Sequence, residues 1–197
     1  MREMIKMVVV LTVLSALSGG LLAYLRTATA AQIERQELEL VKGPAIRQIL
    51  AGAGNDPVND RFKLTVDGKP QSFFVGVFDG KPDTVVFETI GKGFGDAFGL
   101  MVAVNVDTDK LVGVAVTTCK ETPGLGMRAK EDPTFAAQFK GLPVDQPIKV
   151  SKDGGSISAL SGATITSRGV CAAATDALVR YRQLKPQIVE QVRSFKK

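Results

Sequence analysis

Four hydroxyls fall within seven residues of one stretch: Ser161, Thr164, Thr166 and Ser167, with Gly162, Ala163 and Ile165 between them. The stretch runs into a segment where Val170, Ala174, Ala177 or Leu178, and Tyr181 recur at helical spacing. This predicts a long helix from near Ser167 to about Leu184. A helix N-terminus presents free N–H groups and the positive end of its dipole, so it attracts phosphate. Gly162 and Ala163 leave room for a bulky group on Thr164. Taken by type alone, these residues suit either a phosphate site or an ordinary N-cap by Thr166 or Ser167, with turn residues before it. A second stretch, Glu121-Thr122-Pro123-Gly124-Leu125-Gly126, follows a predicted strand. Pro123 with two glycines in five residues imposes an unusual backbone path. It reads as a plain turn, or as a backbone shelf against which a flat ligand lies. Glu121 is a candidate wall of that shelf, though carboxylates are seldom buried and that favours a solvated loop residue.

Composition removes several chemistries. The 197 residues contain no His, which excludes Ser-His-Asp triads, Cys-His pairs, His-ligated haem and His-bound zinc. Cys119 and Cys171, the two cysteines, cannot make a four-thiolate metal site within one chain. They are read as one disulfide or as two small buried residues. No acid–base pair or nucleophile stands out, so the chemistry is expected to come from a bound cofactor. With no Trp and two Tyr, stacking on nucleic acid is poorly supplied. The net charge of +5 includes a basic end of Arg180, Arg182, Lys185, Arg193, Lys196 and Lys197, read as a solvated helix face and a frayed terminus.

The elements that must position these residues are mostly strands. Segments 62–66, 73–78, 84–89, 100–106 and 111–117 are rich in β-branched and aromatic residues and are separated by turn signals at Asp67-Gly68, Asp79-Gly80 and residues 107–110. Short turns between strands imply an antiparallel meander. Gly91-Lys92-Gly93-Phe94-Gly95 has the start of a dinucleotide fingerprint, but it leads into more strand rather than a helix, which argues against a Rossmann unit. Asp132 and Pro133 open a short predicted helix over 134–140, striped by Phe135 and Phe139. Residues 147–150 read as a strand, and Asp153-Gly154-Gly155 as a turn.

Ahead of all this, residues 7–25 are free of charge and bracketed by Lys6 and Arg26. At about 1.5 Å per residue they span ~28 Å, enough to cross a bilayer. Ala28-Thr29-Ala30 also resembles a signal-peptidase site, but the apolar run is longer than a signal core, so a retained anchor is expected. Arg2 and Lys6 put the N-terminus in the cytoplasm and the rest outside, by the positive-inside rule. Residues 30–41 continue as a helical stalk, broken at Gly43-Pro44, with a short helix over 45–51. The expected class is therefore α+β: a transmembrane helix, then one mainly antiparallel sheet flanked by helices. The expected division is an anchor over 1–26, a stalk and linker over 27–60, and a domain over 61–197.

Ser161-Gly162-Ala163-Thr164, with Thr122 to Gly126 about forty residues upstream, resembles the S-G-A-T and T-P-G-L-G segments of the extracytoplasmic FMN-binding domain family. That family includes the G-type subunit of Rnf electron-transport complexes and the C-type subunit of the sodium-pumping NADH:quinone reductase. The resemblance covers essentially the whole chain, and the length is nearer to the Rnf member. It implies FMN joined to Thr164 by a phosphoester, installed from FAD by a flavin transferase. Ser161, Gly162, Ala163, Thr166 and Ser167 would then lie around the phosphate, with the hydroxyls of Thr166 and Ser167 solvating its charge. Glu121, Thr122, Pro123, Gly124, Leu125 and Gly126 would lie near the ring. It implies a single-pass cell-membrane protein and an electron relay between ferredoxin and NAD, coupled to sodium-ion or proton translocation. Its partners would be the other members of the complex, and no metal or nucleic acid is implied. One departure is Ser158, where the family's transferase pattern usually has an acid; Asp153 is the nearest acid. The alternatives are a tethered binding or assembly protein without flavin, a free-standing flavoprotein, and the sodium-pump member of the family.

Overall fold

A computed structural model describes residues 1–195. The chain divides into two units, residues 1–40 and 41–197. The first consists of α1 (Arg2–Glu37), none of whose residues is buried. It holds the one stretch among the described residues that is long and apolar enough to cross a membrane. A π-helical turn, Leu38–Lys42, follows. Pro44 lacks an N–H, and its ring crowds the carbonyl four residues back, so the regular ladder cannot run through it. Pro44 instead sits in the first turn of α2 (Gly43–Ile49).

The second unit is built on a five-stranded sheet in the order β1 (Arg61–Val66), β2 (Lys69–Phe78), β3 (Lys81–Lys92), β4 (Ala97–Asn105) and β5 (Lys110–Val116). Every pair is antiparallel, as the turn signals implied. Asp67 and Gly68, and again Asp79 and Gly80, all have positive φ, the geometry of two-residue hairpins whose twist matches that of the strands. Every strand begins before its predicted start, β1 and β5 by one residue and the other three by three or four. β2 starts at Lys69 because its first residues pair only with β1, which lets Pro70 sit on an unpaired edge. β3 runs on to Lys92 and β4 starts at Ala97, so the Gly-rich segment is the end of a strand and a hairpin loop over 93–96.

Both faces of the sheet are covered. Phe73, Val75, Val85, Phe87, Phe98, Leu100, Val102 and Val104 face the long helix α5 (Thr164–Ser194) and join its buried Val170, Ala174, Ala177, Leu178 and Tyr181. Phe74, Val86, Met101 and Ala103 are buried on the opposite face, where Leu50 and Ile49 at the end of α2 lie against Gly76 and Gly113. Burying a large apolar side chain contributes roughly 1.5–3 kcal/mol, so these two layers hold the fold. At Gly169 the backbones meet: a Cβ there would lie 2.1 Å from the Lys92 carbonyl oxygen.

Outside the sheet several segments differ from expectation: α2 lies two residues earlier than predicted, and the short helix predicted over 134–140 ends at Ala137, with residues 138–140 a turn. Residues 128–131 form an additional short helix, α3 (Arg128–Glu131), before α4 (Pro133–Ala137), which Asp132 caps by accepting the Thr134 N–H at 3.0 Å. Residues 147–150 are not a strand. The N–H of Ile148 donates to the Thr175 hydroxyl of α5 instead, and only a single bridge, Val150 with Ile157, is sheet-like. Helix α5 begins three residues before the predicted start and passes Pro186 to reach Ser194. The lost backbone bond at a helical proline costs about 3 kcal/mol. The burial of Ile188 and Val192 beyond it offsets that cost. Up to Ser194 the basic end is helix, with Arg180, Arg182 and Arg193 on its exposed face as expected and Ile188 and Val192 on its buried one; Lys185 pairs with Asp109, and Arg180 lies 3.8 Å from Asp67. Lys196 and Lys197 lie outside the described residues. Cys119 and Cys171 are free thiols.

Candidate functional site

The start of α5 is shaped by the turn before it. Leu160 accepts the Ala163 N–H at 3.0 Å, and Gly162 takes φ +77, a type II turn with Ser161 and Gly162 at its centre. Gly162 is fixed twice over, because a Cβ there would also lie 2.9 Å from Leu125 Cδ2. Ala163 occupies the cap position and supplies no side-chain acceptor, so α5 opens uncapped. Thr164 is its first residue and is half-buried, while Ser161 and Gly162 are exposed.

The neighbouring hydroxyls do other work. The Ser167 hydroxyl donates to the Ala163 carbonyl at 2.9 Å and accepts the Leu160 N–H at 3.0 Å, fastening the turn to the helix. The Thr166 hydroxyl donates to Glu121 Oε2 at 2.9 Å. Thr166 is 1% exposed and Ser167 is fully buried. Neither caps the helix, and both are engaged with the protein rather than turned outward to solvate a phosphate. Their hydroxyls resemble caps in sequence, but the helix begins before them, which turns them inward.

The Thr122 to Gly126 segment is a second type II turn. Thr122 O accepts the Leu125 N–H at 3.2 Å, Pro123 is at the first central position, and Gly124 has φ +74. Its side chain Leu125 stands against Gly162, so the two segments singled out by composition meet. Leu125 is 46% exposed, Ile165 on α5 is 51% exposed and Phe94 in the 93–96 loop is 74% exposed, leaving large apolar groups uncovered around the start of α5.

Glu121 corrects the sequence reading most clearly. It is 6% exposed, not solvated. Oε1 accepts the Gly95 N–H at 2.9 Å, and Oε2 the Thr166 hydroxyl. Burial opposes its ionisation, but these bonds, with the amides of Asp96 and Phe94, outweigh burial and hold the carboxyl below its usual range. The glycines are needed for this approach: a Cβ on Gly93 would lie 2.2 Å from Oε1, and one on Gly126 2.4 Å from Oε2. The spacing of Gly91, Gly93 and Gly95 marks this loop, but nothing local indicates a carboxylate 26 residues away. One further residue carries no signal in the sequence. Arg168, one turn after Thr164, forks onto Asp153 with two bonds of 2.7 Å. Hydrogen bonding to Arg168 holds the Asp153 carboxyl below its ordinary range. Ser158 is exposed, and its N–H donates to Gln138 Oε1 at 2.7 Å.

The FMN-binding domain family matches residues 93–179, which contain the loop, the turn and the start of α5. A relative from Methanosarcina acetivorans, the G-type subunit of an ion-translocating oxidoreductase complex, is 33% identical over 172 residues, covering 86% of this chain and 89% of its own length. The chain belongs to the FMN-binding domain family. A second relative, from Clostridium ljungdahlii, is the G-type subunit of a proton-translocating ferredoxin:NAD(+) oxidoreductase complex. It is 31% identical, covering 94% of this chain and 89% of its own length. The crystal structure of Shewanella oneidensis NqrC superposes with a TM-score of 0.54 at 26% identity, covering 71% of this chain and 72% of that one.

The residues present fit the family's cofactor. An uncapped helix N-terminus leaves amides and a positive dipole end for a phosphate, with the Thr164 hydroxyl beside them. Leu125, Ile165 and Phe94 supply uncovered apolar surface of the kind a flat ring requires.

Proposed function

We propose that the chain is the electron-relay subunit of a membrane-bound, Rnf-type ion-translocating oxidoreductase, carrying FMN through a phosphoester on Thr164. The observation that carries this reading is the placement of Thr164: a half-buried hydroxyl at the first position of an uncapped, 31-residue helix, beside the turn that presents Leu125. Bound FMN would supply the redox chemistry that the side chains lack. The Cys171 thiol, for instance, is pushed up to about 12, chiefly by burial, and is inert at neutral pH.

Thr164 Oγ would take the FMN phosphoryl group from FAD under a separate flavin transferase; the anhydride bond of FAD breaks, AMP leaves and the hydroxyl proton passes to solvent. The N-terminal amides of α5 would hold the remaining phosphate charge. Ser161, Gly162 and Ala163 keep the approach to Thr164 open, and the turn of Thr122, Pro123, Gly124, Leu125 and Gly126 would lie along the ring. Thr166, Ser167 and Glu121 support the site from beneath. Residues 7–25 would anchor the chain in the cell membrane, N-terminus in the cytoplasm and α+β domain outside, among the integral subunits of the complex. The exposed Phe94, Leu125 and Ile165 would be covered there by the partner that exchanges electrons with it.

The test is denaturing electrophoresis of the chain from its native membranes under ultraviolet light. A fluorescent band is expected, with an intact mass above that of the polypeptide by one FMN less one water. Thr164→Ala should abolish both. A dark wild-type band from native membranes would overturn the reading.

A further inference from the structure

Glu121 is a buried carboxylate that none of the steps above consumes. No cation pairs with it among the described residues; its bonds go to the Gly95 amide and the Thr166 hydroxyl, with the amides of Phe94 and Asp96 also turned toward it. Three successive amides around one anion form a backbone nest. A ligand or ion commonly fills such a nest; here a side chain does. Gly93 and Gly126, from two separate segments, both lack a Cβ where this carboxylate sits. Burying an unpaired charge is costly, and a neutral amide could make a similar two-point link. The charge itself therefore calls for a role, and it lies two residues of α5 from Thr164 through its bond to Thr166.

We propose that Glu121 is a positioning residue for the cofactor: it locks the 93–96 loop, the 122–126 turn and the first turn of α5 into one cradle, and its fixed negative charge makes reduction of the flavin harder. The inference rests on the flavoprotein reading above. Reduction adds negative charge to a flavin, so an anion nearby without a counter-cation lowers its potential and removal of that anion raises it.

The experiment is a spectroelectrochemical titration of the full-length chain, loaded with flavin in its host and purified in detergent. Glu121→Gln keeps the shape and removes the charge, so the midpoint potential should move up. Thr166→Val removes one of the donors that compensate the charge, so the potential should move down. Glu131→Gln, at an exposed glutamate of α3, should leave it where it is. A purely structural tie would lower the melting temperature of Glu121→Gln with no change in potential, and that result overturns the proposal. If Glu121→Gln does not fold or load, Thr166→Val decides: an unmoved or raised potential overturns it. A wild-type chain without flavin defeats the flavoprotein reading instead. The lock is then read in the cofactor-free chain, where Glu121→Ala, which removes both acceptors, should speed hydrogen exchange at Gly95, and unchanged exchange overturns it.

Discussion

Asp109, in the turn between β4 and β5, and Glu121, just after β5, both tie α5 down with a carboxylate, Asp109 by both oxygens and Glu121 by one, its other oxygen going to the 93–96 loop. Asp109 accepts the Tyr181 hydroxyl at 3.1 Å and the Lys185 ammonium at 2.6 Å. Glu121 accepts a hydroxyl and a backbone amide, deeper in the protein and without a cation among the described residues. The first is half-exposed and neutralised, which is how a structural tie is made at low electrostatic cost. The second keeps its charge where desolvation opposes it. Two carboxylates with the same mechanical task thus differ in electrostatics, and the difference falls at the end of α5 that carries Thr164.

Three measurements put that contrast at risk. The greatest loss is expected from Glu121→Ala, which strands the buried Thr166 hydroxyl and frees the part-buried Gly95 amide; it should destabilise the domain by roughly 2–4 kcal/mol in urea unfolding, about 1–3 kcal/mol of it from the buried hydroxyl and the rest from the amide, which water can reach. A loss under about 1 kcal/mol would place the two ties on the same footing. Asp109→Asn is expected to cost about 0.5–1 kcal/mol, because the pair with Lys185 is half-exposed and Asn tolerates the positive φ of position 109; it should leave any bound flavin undisturbed. The most modest change is a pH dependence. The Glu121 carboxyl is held below its ordinary range, so its contribution is fully present above the unfolded pKa of about 4.3 and is lost as pH falls through the lower folded value. Stability of the wild type relative to Glu121→Gln should therefore narrow as pH drops below about 4.5, and a gap that widened on acidification would contradict an ionised carboxylate.

What was legible in the sequence is what short-range chemistry determines. The Asp67-Gly68 and Asp79-Gly80 hairpins, the alternation that buries Val102 and Val104, and the Asp132 cap each depend on neighbours a few residues away. The two segments around Thr164 and Leu125 were also recognisable, from glycines that only tight turns require. What escaped depends on partners far along the chain. Glu121 looks solvated until Gly95 and Thr166 are brought to it. Residues 147–150 look like a strand until Thr175 takes the Ile148 amide. Pro186 looks like a helix stop until Ile188 and Val192 find the core. Ser167 looks like a cap, yet it binds backward to Ala163 and Leu160.

The contact at Gly169 bears on how a relay built this way can move. With main chain resting on the Lys92 carbonyl, α5 has no sliding coordinate: a screw displacement of one residue, about 1.5 Å, would drive the side chain of Arg168 or Val170 into the end of β3. Any swing that shortens an electron's jump must then carry the sheet and this helix together, as one rigid carriage, with the travel taken up elsewhere in the chain.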